Sequence, residues 1–256
     1  MTFLPIVERE LRAAARRPVT HWLRLGVALL GFAATLLVLS NSRRMGNSVQ
    51  VGSAIFTAIS ISALGFCLMA GPFLTADTLT SEKREGTLGL LFLTDLRPFD
   101  IISGKLAAAS LNALLVFLST VPLLMLPVLW GGVSLKQVLL TALSLALALG
   151  VSLAIGVFYS TVCRHHRLAL LATLTTVLLL GGLPFLVLAT ECSLRGSTAA
   201  FSLGCLFVSP VALFVEALQG SRLFRTAPPM LPVGVVFQTA IILTAGMAAC
   251  RWLPRV

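Results

Sequence analysis

The stretch QVLLTALSLALALGVSLAIGVFYSTVC, residues 137–163, contains no Asp, Glu, Lys or Arg in 27 positions. As a helix rising 1.5 Å per residue it is about 40 Å long, and crossing the hydrocarbon core of a bilayer takes about 20 apolar residues. Charge is absent in the same way from 25–42, 45–76, 106–135, 168–190 and 226–250, blocks of 18, 32, 30, 23 and 25 residues. Lipid offers no partner to backbone N–H and C=O groups, so blocks of this kind must be helices. The fold class that follows is all-α, a polytopic membrane protein built as one transmembrane domain over residues 1–256. Six spans are expected, at about 22–41, 51–74, 105–130, 135–162, 168–189 and 230–250.

Composition agrees with this and narrows the function classes. The chain is 57% hydrophobic and 11% charged, against roughly 45–50% and about 25% in soluble domains. The net charge of +10 would suggest nucleic acid in a soluble chain, but here its distribution matters more than its sum. With the N-terminus inside, the inner loops hold 13 of the Lys and Arg residues and the outer loops 6. Excess basic residues mark the cytoplasmic side, so both termini are expected in the cytoplasm and the protein in the plasma membrane. The basic excess is then a topology signal with anionic headgroups as its contacts, and no nucleic-acid partner is expected. The first apolar block follows charged sequence and lacks a small-x-small cleavage site, so it does not read as a signal peptide. No CxxC or Cys/His metal spacing occurs, and no metal site is expected. Cys192 and Cys205 fall outside, where they either pair or stay free thiols.

Along the chain, residues 1–18 read as an amphipathic helix. Phe3, Ile6, Val7 and Leu11 are apolar; Glu8, Arg9, Arg12 and Arg16 are polar. Such a helix can lie in the membrane interface with its arginines at the headgroups, the alternative being a solvated helix. Pro72 is expected to kink the second span, while Pro122 and Pro127 fall in the outer half of the third. "GGVS" at 131–134 reads as a tight turn. In the fourth span, Ala146, Gly150 and Ala154 form one row of small residues and Ser152, Gly156 and Ser160 another, and such rows let helices approach closely. "CRHHR" is a basic inner turn, and the fifth span is expected to end near Gly181, Gly182 and Pro184. Between 190 and 229 an apolar run broken at Ser209–Pro210 is too short to span, and suits a re-entrant or interfacial helical pair. Glu216 within it either lines a water-filled exit path or is a solvated carboxylate.

Catalytic constellations are missing. No GxSxG, HExxH or paired carboxylates within a span occur, and "SGKL" at 103–106 fails the phosphate-loop pattern GxxxxGK[ST] because position 99 is Phe and position 106 is Leu. The chain is not expected to be an enzyme or to bind a cofactor. The spans as drawn also contain no acid, whereas ion-coupled transporters place ionisable residues along the ion path. Energy for any transport should therefore come from a partner.

The stretch TSEKREGTLGLLFLTDLRPFDIISGKL, residues 80–106, offers a place for one. Residues 76–85 can carry the second span below the membrane as a helix. Gly86 suits its end and Thr87 can cap a second short helix. That helix holds Leu88, Leu91 and Phe92 and is too apolar to stand bare in water, so it should pack on the membrane underside or in a partner's groove. Pro98 suits the start of the next helix, with Asp100 in its first turn.

These residues resemble the loop between the second and third spans in permease subunits of type-two ABC exporters. The family pattern is roughly E-[KR]-E-x-G-T-L-E-x-L-L-x-T-P-L…I-L-x-G-K. Glu82, Arg84, Glu85, Gly86, Thr87, Leu88, Leu91, Thr94, Leu96, Ile102, Gly104 and Lys105 fit it, while Gly89 stands where Glu is usual and Asp95 where Pro is usual. The resemblance extends to the N-terminal helix with "ERELRAAARRP", the six spans and the broken segment before the sixth. It implies a single permease domain whose 82–96 segment is a coupling helix docking on an ABC ATPase subunit, with Phe92 in its groove. Two permease copies or homologues would form the pathway in the bilayer, and ATP and magnesium would sit on the partner. Any further domain that some members carry is not expected. Two readings stand beside it: an ATP-independent secondary transporter or channel, and a non-transporting membrane scaffold.

Overall fold

The computed structural model describes residues 18–41, 48–75, 98–163, 165–194, 208–219 and 230–252. The N-terminal residues Glu8, Arg9, Arg12 and Arg16, the residues from Glu82 to Thr94 expected to dock a partner, and Cys205 lie outside the described residues. The described chain is helical and contains no strand. Its helices are α1 (Pro18–Asn41), α2 (Ser48–Thr75), α3 (Pro98–Leu118), α4 (Val121–Trp130), α5 (Leu135–Val162), α6 (His166–Leu194), α7 (Pro210–Gln219) and α8 (Met230–Trp252).

Four stretches are long and apolar enough to cross a membrane: Val49–Thr75, Ser103–Trp130, Leu135–Val162 and Pro232–Trp252. Shorter apolar runs, Leu29–Ser40 and His166–Gly182, lie in α1 and α6. The protein is membrane-embedded by this measure, and its surface agrees. Leu29, Leu30, Leu37, Leu129, Val236 and Leu243 are exposed, while Thr35, Thr141, Ser144, Ser152, Thr173 and Ser209 are buried. In water that distribution would be costly. In lipid the apolar exterior has no penalty, and buried hydroxyls find partners on their own or neighbouring helices. Thr35 donates to the Gly31 carbonyl at 2.8 Å and Thr173 to that of Ala169 at 2.6 Å.

The opening stretch is the hub. α5 packs against α2, α3, α4, α6, α7 and α8, and α2 in turn packs against α1, α4 and α6. The core gathers Ile55, Phe56, Ile59 and Cys67 of α2 with Leu145, Leu149 and Leu153 of α5, plus Phe117, Leu124 and Phe214. Ser134 caps α5 by accepting from the Gln137 N–H at 3.2 Å.

Both small-residue rows lie at helix contacts. A Cβ on Gly71 of α2 would stand 2.1 Å from the Ser152 carbonyl oxygen, and one on Gly156 would stand 1.8 Å from Thr75 Oγ1. In the other row, a Cβ on Gly150 would come within 3.0 Å of Ile242 Cδ1 on α8. α2 and α8 thus approach α5 from different sides, each over its own row.

The third span stands over Ser103–Trp130 as expected, with an interruption inside it. The ladder breaks at Ser119 and Thr120, whose N–H groups turn back to the carbonyls of Val116 and Phe117 at 3.2 and 2.9 Å. Pro122 has no N–H to continue the ladder, so α4 restarts with that proline in its first turn. α6 runs past Gly181, Gly182 and Pro184 to Leu194, because a helix in an apolar setting cannot leave its backbone unpaired. Pro72 lies inside α2, three residues before its end at Thr75.

The 131–134 turn holds as expected. Gly131 and Gly132 have φ of 82° and 88°, a region that only glycine enters without strain. A Cβ on Gly132 would also lie 2.5 Å from the Val49 carbonyl oxygen. Gly132→Ala is expected to destabilise the protein by about 1–3 kcal/mol, measured by unfolding in mixed micelles, whereas Gly26→Ala, with open space around it, should not.

Candidate functional site

Two places in the bundle carry more than packing. The first is the end of α2 that leads toward residues 76–97. Pro72 removes the N–H that would otherwise satisfy the Leu68 carbonyl four residues earlier. Ser152 of α5 replaces it: its hydroxyl donates to the Leu68 oxygen at 2.8 Å and accepts from the Gly71 N–H at 3.0 Å. Thr75 donates to the Gly71 carbonyl at 2.6 Å and sits over Gly156. The last two turns of α2 are therefore fastened to the central helix by side chain and by close approach. α3 begins at Pro98, as the sequence suggests. Lys105, in its second turn, is 7% exposed.

The second place is built around α7. Its first turn is set by Ser209, which is fully buried, donates to the Gly181 carbonyl of α6 at 3.3 Å and accepts from the Ala212 N–H at 3.3 Å. Gly181 lies midway along α6, so α7 starts deep in the bundle. At its other end the Leu218 carbonyl accepts from Nε2 of Gln137, in the first turn of α5. α7 thus rises from mid-depth to the end of the bundle where α5 begins.

Glu216 is 4% exposed. A solvated position for it is thereby corrected, because α7 packs against α5, α6 and α8 rather than lying on a surface. Leu213 and Glu216, three residues apart, share one face of α7. A Cβ on Gly234 of α8 would meet Leu213 Cδ1 at 2.3 Å, so this face is turned to α8.

α8 contributes a buried polar residue that carries no charge. Gln238 is 0% exposed, and neither its amide oxygen nor its amide nitrogen has a hydrogen-bond partner. It is the one Asn or Gln in the charge-free block 226–250. That solitary amide is the sequence signal that could have marked it. Among the described residues no group of three His, Cys, Asp or Glu could hold a metal ion. Glu216 on α7 and Gln238 on α8 are both buried; the residues expected to dock a partner and those of the N-terminal helix lie outside the described segments. No known protein family's pattern matches the chain, and no curated protein is significantly similar to it.

Proposed function

We propose that this chain is the membrane-spanning subunit of an ATP-driven exporter of the ABC class. Its coupling segment is 82–96, and six crossings are made by α1, α2, α3 with α4, α5, α6 and α8. The observation that carries the reading is the fastening of α2 to α5 through Ser152, Gly71, Thr75 and Gly156. It adjoins the mixed-charge stretch whose Glu82, Arg84, Glu85, Gly86, Thr87, Leu88, Leu91, Phe92 and Thr94 resemble an exporter coupling helix. A push on such a stretch reaches the central helix only if the end of α2 cannot slip against it. Glu82 and Glu85 would pair with basic residues of the ATPase, and Leu88, Leu91 and Phe92 would fill its groove. The short helix α7 ahead of α8 supports the same layout.

Co-purification of the tagged chain from its own membranes with an ATPase subunit is the expected result, and its repeated absence under mild detergent would overturn the reading. With the complex in hand, Glu85→Arg and Gly86→Pro should each leave insertion intact and separate ATP hydrolysis from transport. Unchanged coupling in both would remove 82–96 from the mechanism. One observation favours a second reading: a buried Glu216 is the kind of group an ATP-independent transporter uses. Substrate movement by the purified chain alone would establish it.

A further inference from the structure

We infer that the contact between α7 and α8 is a passage that takes up water and a neutral hydrogen-bonding group, with Gln238 as its inner binding residue. The argument starts from register. Gly234, Gln238 and Ile242 follow at four-residue intervals and share one stripe of α8. Gly234 faces Leu213 of α7, and Ile242 faces Gly150 of α5. Gln238 therefore points between α7 and α5. α7 rises away from mid-depth while α8 descends toward it, so the turn of α7 opposite Gln238 is the one that begins at Ser209. Ser209 gives its one donor to Gly181 and accepts from Ala212, and it makes no bond to the Gln238 amide.

A primary amide buried without partners forfeits the hydrogen bonds it makes in water. A buried group left without partners calls for an explanation, and an occupant that comes and goes supplies one. The chemistry of the occupant follows from the side chain. An amide offers two donors and an acceptor and no charge, which matches a hydroxyl or an amide on the ligand rather than an ion. Leu213 and Gly234 close the seam above it: the leucine side chain packs into the space that a glycine leaves. Glu216 stands one turn nearer the end of the bundle, on the same face of α7. Displacing Leu213 would open a path from Glu216 down to Gln238. This deepens the exporter reading, and rests on it only in identifying the bound group as part of the cargo.

The test uses the full chain in proteoliposomes, with Cys67, Cys163, Cys192, Cys205 and Cys250 replaced by serine or alanine. Gln238→Cys and Val236→Cys are compared for reaction with three methanethiosulfonate reagents: cationic trimethylammonium-ethyl, anionic sulfonatoethyl and neutral hydroxyethyl. Val236 is 65% exposed on the bundle surface and Gln238 is 0% exposed. Burial alone thus ranks Val236 the more reactive. If the seam hydrates, the order reverses: lipid screens a thiol at 236 while a thiol at 238 meets water, and the cationic reagent should favour 238 by about 10²-fold. The neutral reagent should react at 238 faster than either charged one. Equal slow labelling at both positions, or faster labelling at 236, overturns the passage; preference for a charged reagent overturns the neutral occupant. Gln238→Leu gives a second readout. It should raise the melting temperature, because no structural partner is lost, and a lowered one would show the amide to be a structural group. Co-purification with an ATPase and no labelling at 238 would spare the exporter reading and sink the passage. Labelling at 238 in a chain that binds no ATPase would do the reverse.

Discussion

Gly71→Ala is expected to break the bundle, where Gly65→Ala in the same helix leaves it intact. A Cβ at position 65 meets nothing within 4 Å, but one at position 71 would stand 2.1 Å from the Ser152 carbonyl oxygen, 2.3 Å from its hydroxyl and 2.5 Å from its carbonyl carbon. Two of those three atoms are backbone of the central helix, so no rotamer change relieves the overlap. The helices would have to separate, and Gly156 shows how little room there is: its own Cβ would collide with Thr75 and come within 2.9 Å of the Gly71 oxygen. Overpacking in a core typically costs about 1–3 kcal/mol when side chains can shift, and a backbone clash should exceed about 3 kcal/mol. Gly65→Ala removes a helix-interior glycine and should gain about 0.5–1 kcal/mol. Unfolding in mixed micelles, followed by tryptophan fluorescence, separates the two. Similar stabilities would mean that α2 and α5 are not in the close contact described.

Ser152→Ala is expected to cost about 1–2 kcal/mol, toward the upper end for hydrogen bonds between membrane helices, because one hydroxyl serves two backbone groups. Its link to Pro72 makes the prediction sharper. In a Pro72→Ala background the N–H at position 72 can reach the Leu68 carbonyl, and the serine loses half its purpose. The cost of Ser152→Ala should then fall by about half, a coupling that a double-mutant cycle reads directly. Strictly additive losses would show that the hydroxyl does not compensate for the proline.

The helices were legible in the sequence because lipid makes the rule simple. A charge-free block of sufficient length has no alternative to a helix, and 137–163 became Leu135–Val162 while 226–250 became Met230–Trp252. The close approaches were legible too, since Gly150 and Gly156 sit in rows of small residues. What was not legible shares a cause: groups distant in the sequence act on these segments. Pro72 marks a gap in the ladder of α2, and nothing near it in the sequence points to Ser152. Gly181 and Pro184 were read as an end, yet the turn they share takes a hydroxyl from Ser209. Glu216 was legible as an acid in an apolar run, but only the packing of α7 among α5, α6 and α8 makes it a buried one. Gln238 was missed because acids and histidines were sought, and an amide carries no charge to break a block.

The bond between Ser152 and Leu68 joins residues 84 positions apart. During synthesis, at roughly 5–20 residues per second, about 4–17 s pass between the appearance of the two. Through that interval α2 is in place with a carbonyl that Pro72 cannot serve, and the helix that will serve it has not been made. α2 therefore enters the bilayer as an incomplete element. It becomes a finished one only when α5 arrives and its Ser152 reaches the Leu68 carbonyl.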